Sequence, residues 1–176
     1  MVIIKETKKI DGGTNICEIF RMRNLLLAIV CFSLTGCDSN RIFEENISIN
    51  QNIWKAYQEF TFQFNIPDST LSYNVYCNLR NTPKYPNHNI YIRFVLKDSI
   101  GTKLESELKN FELFDPKSGT PYGKTGLGDL FEHQNLLLED FKFPFKGSYS
   151  ISLEQFMRYE NLPEVNSTGI RVEYHR

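Results

Sequence analysis

Residues 59–68 read EFTFQFNIPD. Phe60, Phe62, Phe64 and Ile66 alternate with Thr61, Gln63 and Asn65, so a two-residue period separates an apolar side from a polar one. That is the period of a β-strand with one face in a core and the other in water. Pro67-Asp68 closes the run, because proline has no N–H to donate to a ladder.

The same pattern recurs on both sides of this segment. Tyr73, Val75, Cys77 and Leu79 alternate, as do Tyr149, Ile151 and Leu153, and again Ile170, Val172 and Tyr174. Residues 89–96 are apolar on both faces, with Ile90, Tyr91, Ile92, Phe94 and Val95, which predicts a central strand. Phe141, Phe143 and Phe145 also alternate, and Pro144 assigns them to an edge or a strand end. Turn signals separate the runs at Pro67-Asp68, 81–86, 115–128, Lys146-Gly147 and 166–169.

One segment reads two ways. Leu104, Leu108 and Phe111 suit a helix face, whereas Leu104, Ser106 and Leu108 suit a strand that Phe111 and Leu113 rejoin after a one-residue slip. The surrounding β pattern favours the bulged strand. A short helix is open at 153–160, ended by Asn161-Leu162-Pro163. Short alternating strands with turn-rich connections predict an all-β fold: a single antiparallel β-sandwich, jelly-roll-like, over residues 53–176.

Upstream, residues 25–40 read LLLAIVCFSLTGCDSN. The apolar run 25–34 is ten residues, half of the roughly 20 that a spanning helix needs. Arg21 and Arg23 flank it on one side and the small residues Thr35-Gly36 on the other, which is the layout of a secretory signal over residues 1–36. Leu34-Thr35-Gly36-Cys37 resembles the bacterial lipobox, in which the Cys thiol is acylated and becomes the new N-terminus. Residues 1–21 suit a leader poorly, carrying Glu6, Asp11, Glu18 and Gly12-Gly13, so the true start is either Met1 or Met22. The mature chain is then expected to open with a lipidated N-terminus and polar tether at 37–52.

Removing residues 1–36 takes three acids and five bases, leaving 140 residues with 18 acidic and 15 basic side chains, a net charge of −3. That is enough chain for one domain with a real core. The bases are scattered singly, which excludes charge-driven recruitment of nucleic acid. Cys17 and Cys31 leave with the leader and Cys37 takes lipid, so Cys77 has no intrachain disulfide partner and is expected as a buried thiol.

Residues 118–125, SGTPYGKT, look like a phosphate loop, but Ser118 stands where the first glycine belongs. Gly126-Leu127-Gly128-Asp129 follows where a helix would have to start. A glycine-rich connection is the better account, and no nucleotide is expected. His88, His133 and His175 lack ligand spacing; Asp129, Glu132 and His133 form no complete metal shell, so no metal or other cofactor is expected. No Ser-His-Asp set and no diagnostic acid pair emerge (Glu139-Asp140 is one pair among ordinary surface charges), so an enzyme is not expected. Tyr57, Tyr76, Tyr85, Tyr91, Tyr122 and Tyr159 lie partly outside the alternating core set. Of these, Tyr85 sits between Pro83 and Pro86 on a stiffened loop and is the candidate partner contact.

Residues 79–92, LRNTPKYPNHNIYI, resemble the Arg-Asn, Tyr-Pro, Asn-apolar block of the GldH family of gliding-motility lipoproteins. Residues 123–130, GKTGLGDL, are similar to the glycine-loop block of that family. Residues 143–149, FPFKGSY, followed by 154–158, EQFMR, resemble a third block, and Trp54 matches a tryptophan before the first strand. The resemblance implies a lipid-anchored envelope protein of the Bacteroidetes, associated with gliding and with type IX secretion machinery. It implies an anchor in the outer membrane facing the periplasm, and partners among envelope and motility-machinery proteins. It supplies no catalytic residues. In that lineage O-glycosylation at Asp-Ser/Thr motifs is implied, which makes Ser69 and Ser99 candidates. The rival class is a glycan- or peptidoglycan-binding envelope module that uses aromatic and acidic side chains on the sheet.

Overall fold

The computed structural model describes residues 40–126 and 128–175. The signal segment, the alternative start at Met22 and the lipidation site Cys37 therefore lie outside the described residues. The strands are β1 (Arg41–Ser48), β2 (Ile53–Lys55), β3 (Glu59–Ile66), β4 (Tyr73–Asn81), β5 (Asn89–Asp98), β6 (Lys103–Glu112), β7 (Lys124–Thr125), β8 (Phe131–Phe141), β9 (Gly147–Gln155), β10 (Asn161–Pro163) and β11 (Val165–Tyr174).

They form one five-stranded sheet in the order β1-β11-β4-β8-β7, one four-stranded sheet in the order β3-β9-β5-β6, and a two-stranded ribbon of β10 and β2. Four antiparallel pairs are nested inside one another along the chain: β1 with β11, β3 with β9, β4 with β8, and β5 with β6. Successive pairs alternate between the two sheets. This is a long hairpin rolled up on itself, the jelly roll expected from the sequence.

The alternation becomes the core. Phe62, Phe64 and Ile66 of β3 are buried, as are Tyr73, Val75, Cys77 and Leu79 of β4, Ile90, Ile92, Phe94 and Leu96 of β5, and Tyr149, Ile151 and Leu153 of β9. β5 lies between β9 and β6 as the central strand that its two apolar faces predict. Burial pushes the Cys77 thiol up to about 12, so it stays protonated and packs as a small hydrophobe. Trp54 of β2 is fully buried; its indole N–H donates to the Gln58 carbonyl at 3.0 Å and its ring meets Phe60 edge-on at 5.5 Å.

Five expectations need correction. Residues 41–52 are not a free tether: they form edge strand β1 and a 3-10 turn at Asn50–Asn52, so the domain begins near residue 41 and not at 53. Phe43 and Ile47 pack against the core and Ile49 is buried, an alternation that Glu45 interrupts in the sequence. The ambiguous segment is strand β6, but its slip lies at Leu104, where the register shifts between Leu96 and Lys97, and not between Leu108 and Phe111. The extra residue turns Leu104 toward the core.

The turn signal at 166–169 falls inside β11. The helix at 153–160 does not form: β9 runs through Gln155, whose side chain then accepts from Met157 N–H at 2.8 Å and donates to the Tyr159 carbonyl at 3.1 Å, bracing a bend. Finally, Phe141, Phe143 and Phe145 do not share one strand. Phe141 ends β8, Phe143 is buried in the connection beyond it, and Phe145 is exposed.

Candidate functional site: a polar groove on an outer sheet face

Successive side chains of a strand point to opposite faces, so burying one face of the five-stranded sheet presents the other to solvent. Across that outer face the register lines up Asn46 of β1, Gly169 of β11, Asn78 of β4 and Gln134 of β8. The next row places Arg80 of β4 opposite Glu132 of β8, which in turn faces Lys124 of β7. Of these, Asn46, Asn78, Arg80, Lys124, Glu132 and Gln134 line a groove of about 420 Å³.

The placing of Asn46 in that lining depends on a residue without a side chain. A Cβ on Gly169 would overlap the Asn46 Oδ1 and the Glu45 carbonyl oxygen, so only glycine lets β1 and its Asn46 amide lie so close to β11. At the far side, a Cβ on Gly123 would stand 2.5 Å from the Glu132 carbonyl oxygen and 2.7 Å from the His133 ring. Polar pairing spans the face. Arg80 Nε lies 2.9 Å from Glu132 Oε1. Asn78 donates to Glu44 Oε1 at 3.1 Å, while Glu44 Oε2 lies 2.5 Å from Arg41 and 3.4 Å from Arg171. Such solvent-exposed pairs each contribute less than about 1 kcal/mol, so their role is to order the face more than to stabilise the fold.

His133, next along β8, packs on the opposite side, edge-on to Phe114 at 6.1 Å. Burial lowers its pKa to about 4, so the ring is neutral near pH 7. Glu132 and His133 therefore leave β8 in different directions, and Asp129 sits in an exposed turn at φ 57. The three do not gather, and no group of three acids, histidines and cysteines among the described residues could hold a metal ion. His88 lies 3.7 Å from Glu112, and His175 is 3.0 Å from Asn74 Oδ1.

The glycine-rich segment is organised around a carboxylate. Asp115 Oδ1 accepts from the N–H groups of Lys117 at 2.9 Å and Ser118 at 2.7 Å, and the Gly119 N–H donates to the Asp115 carbonyl at 2.8 Å. The donors that a phosphate would need are thus spent on Asp115, whose pKa they hold down. Gly123-Lys124-Thr125 then enters β7, with no helix after it. Gly119 and Gly128 take φ of 71° and 73°, which explains glycine at those two positions.

Tyr85, expected as an exposed partner contact, is 7% exposed. Its ring stacks on Phe114 at 6.5 Å and its hydroxyl donates to the Asn89 carbonyl at 3.0 Å, so the stiff loop turns it into the core. Ser69 is half-buried in the turn after β3, where Asp68 accepts from Thr70. Ser99 is exposed in the β5–β6 hairpin, where Asp98 Oδ1 accepts from the N–H groups of Ile100 at 3.0 Å and Thr102 at 2.7 Å.

Sequence reading missed the groove, because its residues come from five separate stretches. Gly169 was the available signal, an isolated glycine beside the Ile170-Val172-Tyr174 alternation. A second missed feature lies on the outer face of the other sheet. There Arg93 pairs with Glu154, its guanidinium sits 5.0 Å from the Phe156 ring centroid, and Tyr91 and Leu108 are exposed nearby on paired strands.

The family model described as GldH lipoprotein matches residues 41–172, which takes in every strand from β1 nearly to the end of β11. The chain belongs to the GldH lipoprotein family. A relative in the family, the gliding motility lipoprotein GldH of Flavobacterium johnsoniae, is 32% identical over 157 residues, covering 85% of this chain and 92% of that one. A GldH homolog of Christiangramia forsetii is 28% identical over 155 residues, covering 84% and 91%. Among solved structures, a GH115 4-O-methyl-alpha-glucuronidase specific for decorated arabinogalactans is similar at a TM-score of 0.42 and 14% identity, over 80% of this chain and 18% of that one. That likeness is too loose to bear on function.

Proposed function

We propose that this chain is a lipid-anchored cell-envelope protein that serves gliding motility as a structural and interaction component, held to the membrane by acylated Cys37. The observation that carries the reading is the GldH family match over 41–172 in a chain whose residues 34–37 read Leu-Thr-Gly-Cys after a charged-then-apolar segment. The domain works by contact and not by turnover. In this reading the anchor sits in the outer membrane with the domain facing the periplasm, beside type IX secretion machinery. Because β1 starts at Arg41, only residues 38–40 separate it from Cys37. At about 3.3–3.6 Å per residue the four steps from Cys37 to Arg41 reach at most roughly 14 Å, so the domain works close to the bilayer. Ser69 and Ser99 stay candidates for O-glycosylation, with Ser99 the more accessible.

The test is Cys37→Ala in the native host. One acyl chain binds a bilayer only marginally, so firm anchoring takes more than one. The variant is expected to move from the detergent phase to the aqueous phase and to lose complementation of a gliding-defective deletion strain. Unchanged partition would refute the anchor; loss of anchoring with full gliding would refute the need for it.

A further inference from the structure

We propose that the groove on the outer face of the β1-β11-β4-β8-β7 sheet binds a neutral, hydroxyl-rich sugar chain. At about 420 Å³ it falls within the roughly 300–1,000 Å³ of small-molecule sites. Its lining is rich in amides. Asn46, Asn78 and Gln134 each place a donor and an acceptor side by side, the same pairing that a sugar hydroxyl offers in return.

Three of the five Asp, Glu, Lys and Arg side chains in the lining, Glu44, Arg80 and Glu132, are compensated already, while Lys124 makes no ion pair among the described residues. Arg80 and Glu132 pair at 2.9 Å, and Glu44 is shared between Arg41 and Arg171. A charged ligand that engaged those three side chains would have to break their pairs. Leu79 is the apolar aliphatic side chain in the lining, so an acyl chain or an amphipathic helix finds no stripe to cover. An extended peptide is also disfavoured. Strand addition needs an unpaired backbone edge, whereas this groove crosses hydrogen-bonded strands and shows their side chains.

One more feature points to a sugar. Tyr122 stands at the rim, 59% exposed, and its hydroxyl donates to Asp115 Oδ2 at 3.2 Å. A ring held open and braced in this way suits stacking against the apolar C–H face of a pyranose.

The experiment uses the purified mature chain with its anchor in detergent micelles. Probes are cellohexaose, maltohexaose, chitohexaose and neutral polysaccharide extracted from the envelope of the same cells, with heparin, anionic phospholipid vesicles and an extended peptide as competitors. Affinity electrophoresis and calorimetry are expected to detect at least one neutral glycan. Tyr122→Ala and Asn78→Ala should each weaken it at least tenfold, with unchanged thermal midpoints. Tyr57→Ala, at a residue 90% exposed and outside the groove lining, should leave binding intact. Failure of every neutral glycan, binding indifferent to both groove variants, or preference for heparin, vesicles or peptide would each overturn the proposal. Partition of Cys37→Ala is a separate readout, so failure here leaves the anchor reading standing, and the reverse also holds.

Discussion

Phe143→Ala should destabilise the domain far more than Phe145→Ala, although the two phenylalanines lie two residues apart in one alternating run. Phe143 is 1% exposed, with ring neighbours Tyr149 at 4.7 Å, Phe141 at 4.9 Å, Tyr73 at 5.6 Å and Phe64 at 5.9 Å. Tyr73 and Phe64 belong to different sheets, so this ring is keyed between both layers. Truncation loses the transfer free energy of the ring and leaves a cavity that the rigid neighbours fill poorly, for a total of about 3–5 kcal/mol. Phe145 is 41% exposed and stacks on Tyr149 at 5.4 Å, so its loss should cost about 1 kcal/mol or less. Against a total stability of roughly 5–15 kcal/mol, the first change is a large fraction and the second a small one. Equilibrium urea denaturation measures both, with the slope unchanged and only the midpoint moved. A difference below about 1 kcal/mol between the two variants would refute the claim that Phe143 locks the sheets together.

Acid should weaken the fold through His133. Its pKa falls from the ordinary 6.5 to about 4 on burial, so between those values the unfolded chain binds the extra proton and stability rises with pH. The contribution is complete above pH 6.5, shrinks as pH falls toward 4, and amounts to about 3 kcal/mol at roughly 1.4 kcal/mol per pH unit. An NMR titration of the ring placing its pKa near 6.5 in the folded protein would sink this. Tyr85→Phe should cost about 1 kcal/mol through the lost hydrogen bond to the Asn89 carbonyl, and Tyr85→Ala about 3–4 kcal/mol. Gliding should then follow the folded fraction, with Tyr85→Phe fully functional; a well-folded Tyr85→Phe that abolished gliding would return this residue to an interface.

Local alternation was sufficient to determine the β class, the positions of β3, β4, β5 and β9 and the later part of β11, and the buried thiol of Cys77, because a two-residue period reports directly on which face meets water. The expectation of a signal segment ending in Leu34-Thr35-Gly36-Cys37 is equally local, since it rests on one charged-then-apolar run and the four residues that close it. What the chain alone left undecided depends on partners far away in sequence. β1 looked like a tether because Glu45 breaks its pattern, and it is a strand because β11 supplies a ladder from Arg41 to Ser48. Phe143 and Phe145 are alike in the sequence, and only the space between two sheets distinguishes them. Tyr85 sits on a loop that two prolines stiffen, but the direction of the ring was settled by Phe114 and the Asn89 carbonyl. The groove is the extreme case: Asn46, Asn78, Gln134 and Gly169 acquire a common face only through strand register. A one-residue slip in any pairing would move its side chains to the other side.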